Sequence, residues 1–411
     1  MRQELAAMRA ELNQLKADPA AQRAAEDLQA ATAAALVDAQ ARIDYTAQNL
    51  SAGHDGKFFL ESPDGGFRLN VAGHMQFRYV SNNRSNTGGD DSLDGFTLRR
   101  TKLNFSGHVT RNQKFTYSLT LAGEDDFDDG QFEIEAFVLG YQLSDNWKAQ
   151  LGQMKLPFAR EELISSKRQL ATDRSVATEY FTLDYGQGVL LKYTGIDGVV
   201  LQGMLSDGAD TENQDFDSAN ADIADAALTL RGDLVVFGNA KAGKDVAAWS
   251  GGQDTLLLGA AAHYQLANSG NSTSDDYFTW TVDALYKTGP LSIIGAVYGL
   301  HTQGDNGRGD FDDYAMMVGA GYNLDDHWQP FVQYSHVNLD AIKEINAVAL
   351  GVNYFIDKHN AKFTTDVVYF FNPLTTTART VNNPGTGQGL LPDAAGEDGQ
   401  FVFRAQFQML F

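Results

Sequence analysis

The sequence predicts an all-β transmembrane β-barrel of sixteen antiparallel strands, preceded by an N-terminal α-helical coiled-coil segment. Three observations predict it. From Gly53 onward, apolar residues recur with a period of two, in runs long enough to cross a bilayer at a tilt. The connections between these runs tend to alternate between short and long, as in barrels whose two ends face different compartments. The composition agrees: 411 residues include 40 Gly but only 8 Pro, and 11% are aromatic, which is β-rich rather than disordered. No window of 18 apolar residues marks a transmembrane helix. The mean hydropathy of −0.30 is what strict alternation averages to.

Charge and cysteine usage remove several classes. Thirty-one Lys and Arg against 53 Asp and Glu give a net charge of −22. That excludes a nucleic-acid coat, because neutralising phosphates needs a basic face. The absence of Cys excludes disulfide frameworks, Cys–zinc sites, iron–sulfur clusters and thiol nucleophiles. The opening Met1-Arg2-Gln3-Glu4-Leu5 lacks the apolar core of a signal peptide, so an exported chain is expected to carry its signal outside this sequence.

Two regions divide the chain. Residues 1–52 are Ala-, Gln- and Glu-rich. Leu5, Met8, Leu12 and Leu15 are spaced 3, 4, 3, a heptad seam. Asp18-Pro19 reads as an N-cap followed by Pro at the first helical position. A second helix follows with a weak Ala-rich seam through Leu36, Ile43 and Leu50. So narrow an apolar stripe buries little alone, so a partner helix is expected; a flexible helical spacer is the plain alternative. Residues 53–411 form the barrel. Its last run is the clearest, with Phe401, Phe403, Ala405, Phe407, Met409 and Phe411 on one face and Arg404, Gln406 and Gln408 on the other.

The sixteen expected strands lie near 67–80, 96–110, 114–122, 131–143, 147–154, 186–194, 197–205, 225–236, 256–266, 277–287, 291–300, 313–322, 328–337, 345–354, 360–371 and 400–411. Both termini then lie at one end, and sixteen strands are expected to leave a water-filled lumen without a packed core. The connection 237–255 is long where a short turn is expected, and the pattern offers no reason for it.

Parity assigns the inward faces. Leu103 and Phe105 facing lipid put Arg100, Lys102, Asn104 and His108 inward. Phe96 and Leu98 have the opposite parity, so a β-bulge is expected near Arg99-Arg100. Extending the rule gives inward Arg68, Arg78, Arg100, Lys102, Lys114, Lys148, Lys192, Arg231, Lys287, Lys362 and Arg404, against Glu133, Glu135, Asp233, Asp283 and Asp366. Basic residues outnumber acidic ones inside, which favours anions modestly.

Two stretches resemble the phosphate-selective porin O and P family. They are Phe96-Thr97-Leu98-Arg99-Arg100-Thr101-Lys102-Leu103-Asn104-Phe105-Ser106-Gly107 and Leu151-Gly152-Gln153-Met154-Lys155-Leu156-Pro157-Phe158-Ala159-Arg160-Glu161. The resemblance spans roughly residues 55–411. It implies a homotrimeric outer-membrane porin whose third long loop, about 155–185, folds inward as a constriction. That loop carries Lys155, Arg160, Lys167, Arg168 and Arg174 against Glu161, Glu162, Asp173, Glu179 and Asp184, a neutral balance. Opposed charged walls there would set a transverse field on passing ions. The plain alternative is that many of these pairs anchor the loop.

The expected function is passive diffusion of small polar solutes and ions, phosphate first among them, with the N-terminal segment in the periplasm. The rival is a structural tether or adhesion protein linking outer-membrane lipids to the cell wall through the helices. No cofactor is expected. The acidic outer segments, above all Asp125, Asp126, Asp128 and Asp129, offer oxygen ligands for Ca²⁺ or Mg²⁺ without EF-hand spacing; solvated loops are the plain alternative. Gly238–Asp245 nearly matches a phosphate-binding P-loop but lacks its Ser or Thr. No His-Glu-x-x-His or Gly-x-Ser-x-Gly occurs, and no enzymatic activity is expected.

Overall fold

Sixteen antiparallel strands close on themselves in this computed structural model, which describes residues 1–16, 19–48, 50–84, 92–124, 132–214, 223–268, 275–303, 310–340, 344–374, 388–391, 393 and 399–411. A small hairpin, β1 (Ser51–His54) and β2 (Phe58–Glu61), precedes them. The wall consists of β3 (Arg68–Asn83), β4 (Ser92–His108), β5 (Phe115–Glu124), β6 (Glu133–Gln142), β7 (Trp147–Lys155), β8 (Tyr185–Ile196), β9 (Val199–Ser206) and β10 (Ala226–Phe237). It continues through β11 (Thr255–Leu266), β12 (Asp276–Thr288), β13 (Leu291–Gln303), β14 (Phe311–Tyr322), β15 (Trp328–Asn338), β16 (Ile345–Asp357), β17 (Ala361–Phe370) and β18 (Phe401–Leu410). Each strand pairs with its sequence neighbours, and β18 returns to β3 with Phe407 opposite Phe77. Closure matters physically, because an unpaired strand edge in hydrocarbon leaves backbone groups with no water to bond. Strand β2 pairs with residues 68–71 of β3, beside the end of β18, and so extends the wall at the short-turn end.

The outer face is apolar and its rims are aromatic. Leu230, Val282, Val297, Met316, Val318 and Leu350 are exposed outward, each more than 40% accessible. Near the short-turn end, Trp147 packs at a tilt on Tyr193 at 4.7 Å, Trp328 on Tyr354 at 4.6 Å and Phe115 on Tyr141 at 4.4 Å. Toward the long-loop end, Phe96 meets Phe77 and Tyr79, and Tyr369 meets Phe371. Two aromatic girdles around an apolar band place the wall in a membrane.

The expected bulge is present. Gln76 pairs with Arg100 and Phe77 with Leu98, so Arg99 is the extra residue. A second bulge, between Thr120 and Leu121 of β5, leaves Glu135 of β6 without a directly opposed residue. Each bulge sends an extra charged side chain inward.

The interior corrects the expectation of a wet lumen throughout. Strands β10–β18 alternate sharply between buried inward and exposed outward residues, whereas the inward residues of β4–β9 stay mostly half-exposed. The long segment 156–184 lies inside the barrel against the first wall. Its Leu156, Phe158, Ile164, Leu170, Phe181 and Leu183 form one apolar cluster with Leu257, Leu285, Ile294, Met317, Phe331 and Val368 of the wall. One half of the barrel is therefore packed like a protein core, and the open space runs along β4–β9.

The N-terminal residues form α1 (Arg2–Lys16) and α2 (Pro19–Gln48), with Pro19 opening the second helix as expected. Leu5, Met8, Leu28 and Leu36 are exposed on them in the single chain.

Candidate functional site: the inserted loop and its charged wall

The segment between β7 and β8 is held inside by its base and by three short elements. The Leu156 N–H donates to the Asp184 carbonyl at 3.0 Å, closing the base. Gly152, in the stretch leading into it, has φ +120°, and a Cβ there would stand 2.0 Å from the Phe137 carbonyl oxygen. Only glycine permits that approach. The loop then forms α3 (Arg160–Leu163), a 3₁₀ turn (Ser166–Arg168) and α4 (Val176–Phe181), the last capped by the Ser175 hydroxyl accepting from the Thr178 N–H.

Asp173 is the hub of the charged contacts. Its carboxylate takes Arg78 at 2.6 Å, Arg100 at 3.1 Å, Arg99 at 3.3 Å and Arg404 at 3.4 Å. Burial raises the pKa of this carboxyl, but the four guanidinium groups outweigh it and hold it well below the usual range. Arg404 also grips Asp366 at 2.8 Å, and Asp366 accepts from the Thr172 N–H and hydroxyl at 3.1 and 2.8 Å. Four arginines from β3, β4 and β18 thus converge behind the loop, where the carboxylates of Asp173 and Asp366 meet them.

A second cluster is balanced. Arg160 bonds Asp283 at 2.6 Å and Asp233 at 2.9 Å; Arg231 bonds the same two at 2.8 and 2.7 Å and donates to the Phe158 carbonyl. Gly259 makes room, since a Cβ there would fall 2.3 Å from Arg231 and 2.4 Å from Asp283. Glu161 ties the loop to itself and to β15, accepting from the Thr178 hydroxyl at 2.6 Å, the Ser175 hydroxyl at 2.7 Å and Gln333 at 2.8 Å. Burial raises the Glu161 pKa. For Glu162 burial is outweighed by Arg174, at 2.8 Å, and by Lys155, so its pKa falls.

The expected site residues therefore divide by position. Arg78, Arg100, Arg160, Glu161 and Glu162 are buried loop anchors. Lys155 and Arg174 are half-exposed partners of Glu162, and Lys102 of β4 is a half-exposed partner of Glu135. Lys167 and Arg168 sit half-exposed on the 3₁₀ turn, with no ion pair among the described residues. Arg68 is a correction: it holds the β1–β2 hairpin, reaching Asp55 at 2.6 Å and Glu61 at 3.1 Å and covering the Phe59 ring at 4.1 Å. Its place is the rim, because its stretch of β3 pairs with β2 and not with β18. Lys114 is likewise exposed in a turn. Arg99 is the functional residue that parity missed; the clashing parities of Leu98 and Leu103 were its signal. Asp125, Asp126, Asp128 and Asp129 lie outside the described residues. Asp207 accepts from the Gln187 N–H of β8 and from the Thr211 hydroxyl of its own loop. The P-loop-like stretch forms a 3₁₀ turn (Ala240–Lys244) capped by Asn239.

A closed, membrane-embedded barrel with one long loop folded inside and an open half lined by charged side chains is the architecture of a diffusion channel. The family model of phosphate-selective porins O and P matches residues 69–387, and the chain belongs to that family. An uncharacterized protein of Aquifex aeolicus (strain VF5) is 22% identical over 320 residues, covering 68% of this chain and 77% of the relative. Among solved structures, the anion-selective porin from Comamonas acidovorans superposes with a TM-score of 0.60 at 17% identity, covering 84% of this chain and 99% of that one. The trimer form of OmpT, an outer-membrane protein of Vibrio cholerae, superposes with a TM-score of 0.54 at 13% identity, covering 84% and 99%. The protein is a bacterial outer-membrane porin. Family and fold point to a channel rather than an enzyme.

Proposed function

We propose that the channel prefers small anions, phosphate among them, and works as a homotrimer. The observation that carries this reading is the cationic cluster of Arg78, Arg99, Arg100 and Arg404 around Asp173 and Asp366. Buried charge is screened far less than exposed charge, so four guanidinium groups gathered at one place act on the adjacent water more strongly than surface arginines would. Half-exposed Lys148, Lys192, Lys167 and Arg168 add to it. The solute moves down its gradient, selected by size and by this field. The family name and the anion-selective neighbour support the anion preference, and the trimeric neighbour supports the homotrimer.

In the same reading, residues 1–52 lie in the periplasm, where the exposed Leu5, Met8 and Leu36 of three chains pack into a coiled coil. Acidic outer loops take divalent cations only diffusely. The test is the reversal potential of the purified protein in a planar bilayer under a KCl gradient. Wild type is expected to favour chloride, and Arg99→Glu with Arg100→Glu to move the potential toward cations. A wild type that conducts without favouring chloride would sink the anion reading.

A further inference from the structure

We infer that the long turn 238–254, between β10 and β11, is a strap across the short-turn end of the barrel that forms a second constriction beneath the inserted loop. No local pattern explains its length; its contacts do. Lys287 of β12 donates to the carbonyls of Ala242 at 3.1 Å and Ala247 at 2.9 Å, lifting the turn into the mouth. The Val246 N–H donates to the Arg168 carbonyl of the inserted loop at 3.4 Å. Asp245 reaches His359 at 2.9 Å, in the turn between β16 and β17, six strands further round the wall. Trp249 donates to Asp245 at 2.8 Å and packs its ring 4.7 Å from Phe355 and 5.3 Å from His359. Val246, Ala247 and Ala248 are buried, so the strap floors the packed half.

The strap's other edge borders the open half. Lys241 and Lys244 are exposed, and Lys244 lies within electrostatic reach of Lys192 on β8. A Cβ on Gly243 would stand 3.5 Å from a guanidinium nitrogen of Arg160, so the strap rises to the foot of the inserted loop. Whatever leaves the open half on this side passes between the strap edge and the β7–β8 wall, where Lys148 and Lys192 are half-exposed. Solutes therefore meet two filters in series.

The inference rests on the chain conducting, and not on which ion it prefers. Two variants test it in planar bilayers. Replacing residues 239–253 with Asn-Gly is expected to raise single-channel conductance about 1.5- to 3-fold and to admit larger sugars in liposome swelling. Because the chain has no Cys, Lys244→Cys gives a unique label site at an exposed position that leaves folding alone. A bulky thiol reagent there, with labelling confirmed by mass, is expected to cut the current by roughly a third or more. Full labelling with unchanged current overturns the inference, whether or not the replacement variant folds. A wild type that does not conduct would instead strike the channel reading itself.

Discussion

The two halves of the barrel wall follow the same alternating rule and end in different states. Along β11–β17 the inward side mixes apolar residues, such as Leu257, Ile294, Met317, Phe331 and Val368, with buried polar ones such as Asp283, Gln333 and Lys362, and the inserted loop packs against that side. Along β4–β9 the inward residues are polar, such as Asn104, Ser106, Ser118 and Thr120, and they remain half-exposed to water. A strand's pattern decides which side faces lipid. What the other side becomes depends on whether a loop is set against it. One loop thereby serves as the core of one half and the bank of the channel in the other.

The largest break in this comparison is expected at the junction of the halves. Asp173→Asn leaves four guanidinium groups buried around a neutral amide, and losing one partner of a buried pair costs about 3–5 kcal/mol. Heat-modifiable mobility on SDS gels should show the barrel unfolding at lower temperature. Any protein that still folds should favour anions more strongly. Unaltered heat stability would mean the hub does not hold the loop.

A cavity comes next. Leu170 is buried, with its methyl groups over Gly319 and Gly321 of β14, and Leu170→Ala is expected to cost about 2–4 kcal/mol. Ser106→Ala, inward on the wet half, should stay within roughly 0.5 kcal/mol. Equal destabilisation of the two would erase the distinction between the halves.

The smallest effect is on pH dependence. Burial pushes the Glu179 carboxyl up to about 7; neighbouring Glu162 and Asp173 push the same way, and Arg174 and Arg99 oppose them. Folding thus favours its neutral form, an advantage lost as pH rises through 7. Lowering the pH from about 8 to about 6 adds a proton and removes one negative charge from the loop, so anion preference should rise modestly. Glu179→Gln should flatten that change in reversal-potential measurements, and an identical pH profile in the variant would discount the residue.

Much of the fold was legible because a membrane forces it. Strands must alternate and close, so sixteen period-two runs specified the wall, and the parity conflict between Leu98 and Leu103 located the Arg99 bulge within a residue. The site was less legible. Parity correctly sent Arg78, Arg231, Lys362, Asp366 and Arg404 inward. It could not show that Asp173, far along the chain, would neutralise part of that charge. Nor could it show that Arg68 would sit at the rim, where residues 68–71 pair with the hairpin rather than with β18.

By itself the sequence determined the barrel, its strand number and which side chains face inward, since those follow from side chains alternating across a sheet between lipid and lumen. Only the tertiary structure decided which half is dry, which charges are spent on anchoring, and why the turn 238–254 is long. Those depend on contacts between segments 70 to 230 residues apart, such as Arg160 with Asp233 and Asp173 with Arg404. No local pattern encodes which wall a loop will meet once the barrel has closed.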